Sequence, residues 1–330
     1  MRKVALLFPL VLALAGCGDG GGETLTVYSG REEEIVEPLL ERFEEATGIE
    51  IEVRYGDSAE LAATIAEEGE NSPADVFFAQ DPGSLGAVEQ EGLLAELPQE
   101  LLDRVEPRFR DPDGHWVGTS GRVRVVAYNT DLLDESDLPD SILGFTDPRW
   151  RGKIGFPPTN ASFQAFVTAM RLTLGEEETR AWLEGIKANE PKLYEKNLPT
   201  VEAVGRGEVE VGFVNHYYLF LAKEENPDLP VANHYLRAGD PGALVSVAGV
   251  GILEKSDAAE RFVEFLLSDE GQRFYAEEAE EAEYPLVAGI EPRAGLPALD
   301  ELHGPEIELD ELGPELARTL ELLNEVGFTS

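Results

Sequence analysis

The side chains best equipped for chemistry in this chain are two adjacent phenols, Tyr217 and Tyr218, which follow the run Val209-Glu210-Val211-Gly212-Phe213-Val214-Asn215-His216. Val211, Phe213 and Val214 read as a short buried strand of an α/β sheet, and Asn215 breaks it. Ligands of open α/β sheets sit in the crevice beyond the carboxyl ends of such strands. A phenol ionises near pH ~10, so at neutral pH it becomes an anionic ligand only where a strong Lewis acid displaces its proton. Ferric iron has that strength and, as a hard cation, prefers oxygen donors. The competing reading is structural: one ring packs into the core and the other rims a helix start.

Two more loops carry groups suited to a charged ligand. In Tyr28-Ser29-Gly30-Arg31-Glu32, Ser29 and Glu32 have the Ser-x-x-Glu spacing of a capping box. Arg31 has no capping duty, and its guanidinium offers a fork of donors to an oxyanion. In Thr159-Asn160-Ala161-Ser162-Phe163, Asn160 is placed to cap a helix bearing Phe163, Phe166, Val167 and Met170. Open backbone N–H groups at that helix start favour a small anion such as phosphate or carbonate.

The elements that must hold these loops alternate between strand and helix from Glu23 onward. Leu25 to Tyr28 predicts a strand, and Ile35, Val36, Leu39, Leu40 and Phe43 keep helical spacing up to Gly48. Ile51 to Tyr55 is a second strand, Ala59 to Glu68 a helix and Ala74 to Phe78 a third strand, the opening of a doubly wound sheet. Further strands are predicted at Val123 to Tyr128, Lys153 to Phe156 and Leu244 to Leu253. So many strands exceed one small domain and point to a second α/β lobe in the middle of the chain. The expected division is 24–124 with 247–296 for the first lobe, and 125–246 with 297–330 for the second.

Residues 1–16 combine Arg2 and Lys3 with an apolar stretch from Val4 to Ala15, a secretory signal too short to span a bilayer. The sole cysteine, Cys17, directly follows Leu-Ala-Gly, an arrangement similar to a bacterial lipoprotein signal in which that cysteine is acylated. Residues 17–23, rich in glycine, then form a flexible tether. The expected location is extracytoplasmic, on a lipid anchor. A single cysteine also excludes any intramolecular disulfide. The formal net charge of −40, spread along the chain in runs such as Glu32-Glu33-Glu34, argues against nucleic acid and anionic surfaces as partners.

Several motifs taken together resemble those of the periplasmic ferric-ion-binding proteins, the substrate-binding components of iron(III) ABC importers. They are Thr26 to Arg31, Pro73 to Phe77, Ser120 to Asn129, Asn215 to Tyr218, Asp240 to Val245 and Glu283 to Leu286, in that order over nearly the whole chain after the signal. The resemblance implies a two-lobed class II periplasmic-binding-protein fold whose hinge strands let the lobes close on a metal. It implies a monomer working with permease and ATPase subunits, and Fe(3+) as the transported ligand.

The family's paired tyrosine ligands match Tyr217 and Tyr218. A histidine ligand of one branch is matched by Glu32, and a glutamate ligand by Gln80, so the ligand set departs from that pattern at both positions. A third tyrosine of another branch is matched by Asn160. Two phenolates and one carboxylate leave a ferric ion short of six donors, a gap that exogenous phosphate or carbonate fills in the family. Asn160, Ala161, Ser162, Asn197 and Asn215 match anion-holding positions, Arg31 resembles a carbonate-binding arginine, and Arg122 is open to an anion, a phenolate or a surface ion pair. Tyr28 is a candidate to support the site from behind or to pack.

Other readings use the same scaffold for thiamine, a polyamine or a phosphorylated compound, which would need stacking aromatics or an arginine cluster. A secreted hydrolase would need a nucleophile and base, and the chain has neither Gly-x-Ser-x-Gly nor His-Glu-x-x-His. His216, beside the phenols, is expected to pack or face solvent, because strand alternation turns it away from at least one of them.

Overall fold

The computed structural model describes residues 23–279 and 282–329. The signal segment, Cys17 and nearly all of the tether lie outside the described residues. The chain opens with β1 (Thr24–Ser29), α1 (Glu33–Thr47), β2 (Glu50–Tyr55), α2 (Ser58–Glu68), β3 (Val76–Ala79) and α3 (Pro82–Gln90). The predicted stripe on α1 is buried at Val36, Leu39, Leu40 and Phe43. The helix ends at Gly48, whose φ of 72° is the left-handed conformation that favours glycine. A single turn, α4 (Gln99–Leu102), precedes β4 (Trp116–Asn129), whose 14 residues are all buried.

The middle of the chain supplies β5 (Ile154–Phe156), α5 (Ala161–Leu174), α6 (Glu176–Ala188), β6 (Lys192–Leu193), α7 (Asn197–Gly205), β7 (Val211–Asn215), α8 (Tyr218–Glu225) and β8 (Val231–His234). It returns through β9 (Val245–Ile252), α9 (Asp257–Leu266), α10 (Asp269–Arg273) and β10 (Tyr284–Pro285), and closes with α11 (Leu316–Val326). Among the described residues no helix is long and apolar enough to cross a membrane.

The sheet runs β2-β1-β3-β9-β4-β7-β5-β6, with β8 and β10 also paired to β4. β1 is parallel to β2 and β3, as a doubly wound start requires, whereas β9 is antiparallel to both β3 and β4. β4 serves both halves of the molecule. Up to Val123 it pairs with β9, and from Arg124 it pairs with β7, opposite Asn215. The first half of the fold therefore meets the second on one continuous strand, with β9 starting its return beside the changeover.

Three expectations need correction. The strand predicted from Val123 already begins at Trp116, so Ser120, Gly121 and Arg122 lie within β4; small residues kept the strand pattern from showing there. The Ser29 and Glu32 capping box does not form. Ser29 is still strand, its Oγ accepts the Arg31 N–H at 3.2 Å, and Glu32 at the N-cap makes no side-chain cap. The stretch beyond residue 297 is not confined to the second half: the turn Leu309–Leu312 packs on α3, while α11 packs on α5 and α6.

Candidate metal and anion site

The two phenols lie where β7 ends. His216 and Tyr217 make the turn and Tyr218 opens α8. Their rings are 4.3 Å apart and inclined by 33°, and their hydroxyl oxygens are 3.2 Å apart. Tyr217 is buried and Tyr218 half-buried. Adjacent residues at a strand-to-helix turn can place both side chains on one side because alternation stops there.

His216 turns the other way and is fully buried. Its Nδ1 accepts the Val123 N–H at 3.2 Å, which leaves Nε2 to donate to the Ala282 carbonyl at 3.0 Å. Burial pushes its pKa down to about 4, so the ring is neutral and ties the end of β7 to β4 and to the segment before β10.

Beside the phenols lies Arg124, which the sequence offered only as part of a strand. One of its terminal nitrogens reaches Asn215 Oδ1 at 3.1 Å, Ser162 Oγ at 3.2 Å and Asn197 Oδ1 at 3.5 Å, and the other donates to the Phe213 carbonyl at 2.9 Å. Asn160 caps α5 through the Ser162 N–H at 3.0 Å and accepts from Asn197 Nδ2 at 3.0 Å and Ser162 Oγ at 2.6 Å. The structure thus gathers Asn160, Ser162, Asn197 and Asn215 into one network, from the starts of α5 and α7 and the end of β7. Ala161 begins α5 next to it. Burial lowers the Arg124 guanidinium to about 9, and the Tyr217 and Tyr218 phenols pull it back upward. It stays charged at neutral pH. Among the described residues it has no carboxylate within ion-pair distance. The signal that could have found it is the pairing of an arginine on β4 with an asparagine at the end of its neighbour, which needs the register.

The first half of the fold brings Arg31 and Arg122 together, but on an internal carboxylate. Arg31 grips Glu283 bidentately at 2.8 and 3.3 Å, both side chains fully buried. Ser120 Oγ donates to the same carboxylate at 2.7 Å, and Arg122 Nε lies 3.5 Å away. Burial alone would push Glu283 up; the charges of Arg31 and Arg122 and the bonds from Arg31 and Ser120 outweigh it and hold the carboxyl below its usual value. Arg31, which the resemblance offers to carbonate, has both terminal nitrogens on Glu283, a residue 252 positions away that sequence reading could not pair with it. Arg122 also donates to the Gln80 carbonyl, and it is no surface ion pair. Gln80 Oε1 is buried without a partner among the described residues.

Glycine at position 30 permits this loop. A Cβ there would lie 1.9 Å from Ser58 Oγ, the atom that accepts the Gln80 N–H. Glu32 remains exposed at the head of α1. Tyr28 does not back the site: its hydroxyl donates to Glu68 at 3.2 Å and accepts from Arg54 at 3.0 Å. Glu68 ends α2, about 15 Å along the axis from Ser58 at its start.

A sheet divided over a shared strand, with two phenols and a polar network at the strand ends near the changeover, defines a two-lobed α/β solute-binding protein. The model of the bacterial extracellular solute-binding protein family matches residues 71–300. The Fe(3+)-binding periplasmic protein of Serratia marcescens is 32% identical over 334 residues, covering 99% of this chain and 98% of its own. The major ferric iron-binding protein of Neisseria meningitidis is 33% identical over 335 residues, 99% of each chain. Among solved structures, iron-bound HitA from Pseudomonas aeruginosa superposes with a TM-score of 0.81 at 37% identity, covering 92% of this chain and 99% of that one. The chain belongs to the bacterial extracellular solute-binding proteins, in the family of the periplasmic ferric-ion-binding proteins.

Proposed function

We propose that this chain captures ferric iron with the Tyr217 and Tyr218 oxygens and presents it to an ABC importer. The observation that carries the reading is the pair of phenol oxygens 3.2 Å apart at the end of β7. A small octahedral cation with donors at about 2.0–2.1 Å holds neighbouring oxygens about 2.9 Å apart, so a few tenths of an ångström of adjustment lets both phenols ligate one ion. The relatives' names support iron as the cargo. Arg124 offsets part of the charge of two phenolates in a site where burial makes isolated charge costly.

Glu32, exposed at the head of α1, is the carboxylate available as a third donor from the first half. The remaining positions fall to an exogenous oxyanion, phosphate or carbonate, held by Asn160, Ala161, Ser162, Asn197 and Asn215. Because donors come from both halves, the closed arrangement is favoured by its higher affinity for metal and anion, and the permease and ATPase partners read that closure. Release follows when the permease parts the lobes, or when the phenolates regain protons or the iron is reduced. A monomer anchored through acylated Cys17 would keep the cargo at the membrane face.

The test is an absorbance titration of the lipid-free mature chain with ferric nitrilotriacetate in the presence of phosphate or bicarbonate. An orange to purple phenolate-to-iron band should develop, and Tyr218→Phe should remove most of it. A colourless parent, or an unchanged band in a variant lacking both phenols, would overturn the assignment.

A further inference from the structure

Just before β4 the chain gathers metal-binding side chains that the proposed iron site does not use. The turn Asp111-Pro112-Asp113-Gly114 closes with the Gly114 N–H on the Asp111 carbonyl at 3.1 Å, and Gly114 takes a φ of 85° that glycine adopts freely. The turn sets His115 over Asp111, whose Oδ2 accepts the His115 N–H at 2.7 Å and lies 3.1 Å from its Nδ1. Glu89, near the end of α3, brings its Oε1 to 3.4 Å from the same nitrogen. One ligand atom from each of the three falls within 4.8 Å of the others. Two donors of a tetrahedral zinc ion, each at about 2.0–2.1 Å, stand about 3.3–3.4 Å apart, so both contacts of the imidazole are already near that spacing.

The carboxylates around this imidazole lack a fixed counter-charge. Asp111 is 3% exposed, and among the described residues neither it nor Glu89 nor Asp310 forms an ion pair with a lysine or arginine. Asp310 lies against α3, where a Cβ on Gly86 would be 3.0 Å from its own Cβ, and its Oδ1 is buried without a partner among the described residues. Burial, with the charges of Asp111 and Asp310, pushes the Glu89 carboxyl above its usual value. Asp111 also lines a cleft of about 630 Å³ whose wall carries Asp113, Glu306, Glu308 and Glu311, while its arginines, Arg108 and Arg110, are paired with Glu106 and Asp103. The acidic wall draws cations towards the cluster.

We propose that Glu89, Asp111 and His115 form a second metal site, which takes a divalent first-row cation of the zinc type. His115 ligates through Nδ1 and keeps its proton on Nε2, the two carboxylates give one oxygen each, and Asp310 accepts from a water in the fourth position. The imidazole separates this site from one for calcium or magnesium, which prefer oxygen donors throughout. The site is also separate from the phenols: Arg124, beside them, is nine residues beyond His115, about 30 Å of extended strand. An ion here joins α3 to the start of β4, with Asp310 bringing in the turn Leu309–Leu312, so its occupancy stabilises the first half of the fold and needs no iron.

The experiment titrates the lipid-free mature chain with zinc chloride in a non-coordinating buffer, read by calorimetry and by the melting temperature. The parent should bind zinc, and zinc about 100-fold above its Kd should raise the melting temperature by about 4 °C. The double variant Tyr217→Phe with Tyr218→Phe should keep that binding. His115→Gln should weaken it about 100-fold or more and Glu89→Gln about 10-fold or more, since even residues that only support a ligand cost about 10–100-fold. Circular dichroism checks that each variant is folded; the His115 side chain is 30% exposed, so its replacement leaves the core intact. Calcium chloride in place of zinc should give no comparable binding. A parent that takes no zinc overturns the proposal. So does loss of zinc binding in the phenol double variant, parent-like zinc binding by folded His115→Gln or Glu89→Gln, or calcium bound as tightly as zinc.

Discussion

Replacing Glu283 by glutamine tests the buried charge cluster directly. The substitution keeps the shape and leaves an acceptor for Ser120, but it removes the negative charge between Arg31 and Arg122, whose side chains are 0% and 8% exposed. Breaking a buried ion pair by removing one partner costs about 3–5 kcal/mol, because the remaining charge is stranded. With an unfolding entropy of about 0.6–0.7 kcal/mol/K for a chain of this size, the melting temperature should fall by about 5–8 °C. Differential scanning calorimetry at pH 7 reads this. Glu278→Gln, which breaks the solvent-exposed pair with Arg42, is the control and should move the transition by no more than about 2 °C. Equal small shifts for the two variants would refute the claim that Glu283 is the counter-charge of a buried pair. Glu283→Leu combined with Arg31→Met should recover part of the loss, since a buried pair replaced whole by apolar groups leaves less stranded charge.

Acid should destabilise the fold through two groups whose signs agree. The folded Glu283 carboxyl sits below its ordinary 4.5, so its contribution is complete above that value and is lost as pH falls through the folded one. His216, depressed to about 4 from 6.5, stays neutral while the unfolded chain takes up a proton. Its share of stability, about 3 kcal/mol, is complete above pH 6.5 and declines as pH falls towards 4. Urea unfolding against pH should show this slope, and His216→Leu should reduce it by about one proton; an unchanged slope would contradict the neutral, buried ring. Gly30→Ala should cost about 1–3 kcal/mol by forcing Ser58 aside, and Ser58→Ala should relieve part of that; chemical denaturation reads both. Asn160→Ala should lower stability by about 1 kcal/mol through loss of the α5 cap, which the same denaturation reads.

What the sequence alone determined here was local and periodic. The apolar spacing of α1, the branched strands, the glycine that stops a helix at residue 48 and the asparagine that starts one at residue 160 are all interactions between near neighbours. The adjacency of Tyr217 and Tyr218 needed no fold, and the end of a strand was a sufficient reason to look there. Tertiary structure decided which charges meet. Glu283 reaches Arg31 across 252 positions, and Arg124 faces Asn215 only because β4 leaves β9 for β7 between residues 123 and 124. A guanidinium looks the same in a sequence whether it awaits an anion or already holds one. The difference lies in strand register and burial, because a charge removed from water is governed by the few groups within hydrogen-bonding reach, and those come from anywhere along the chain.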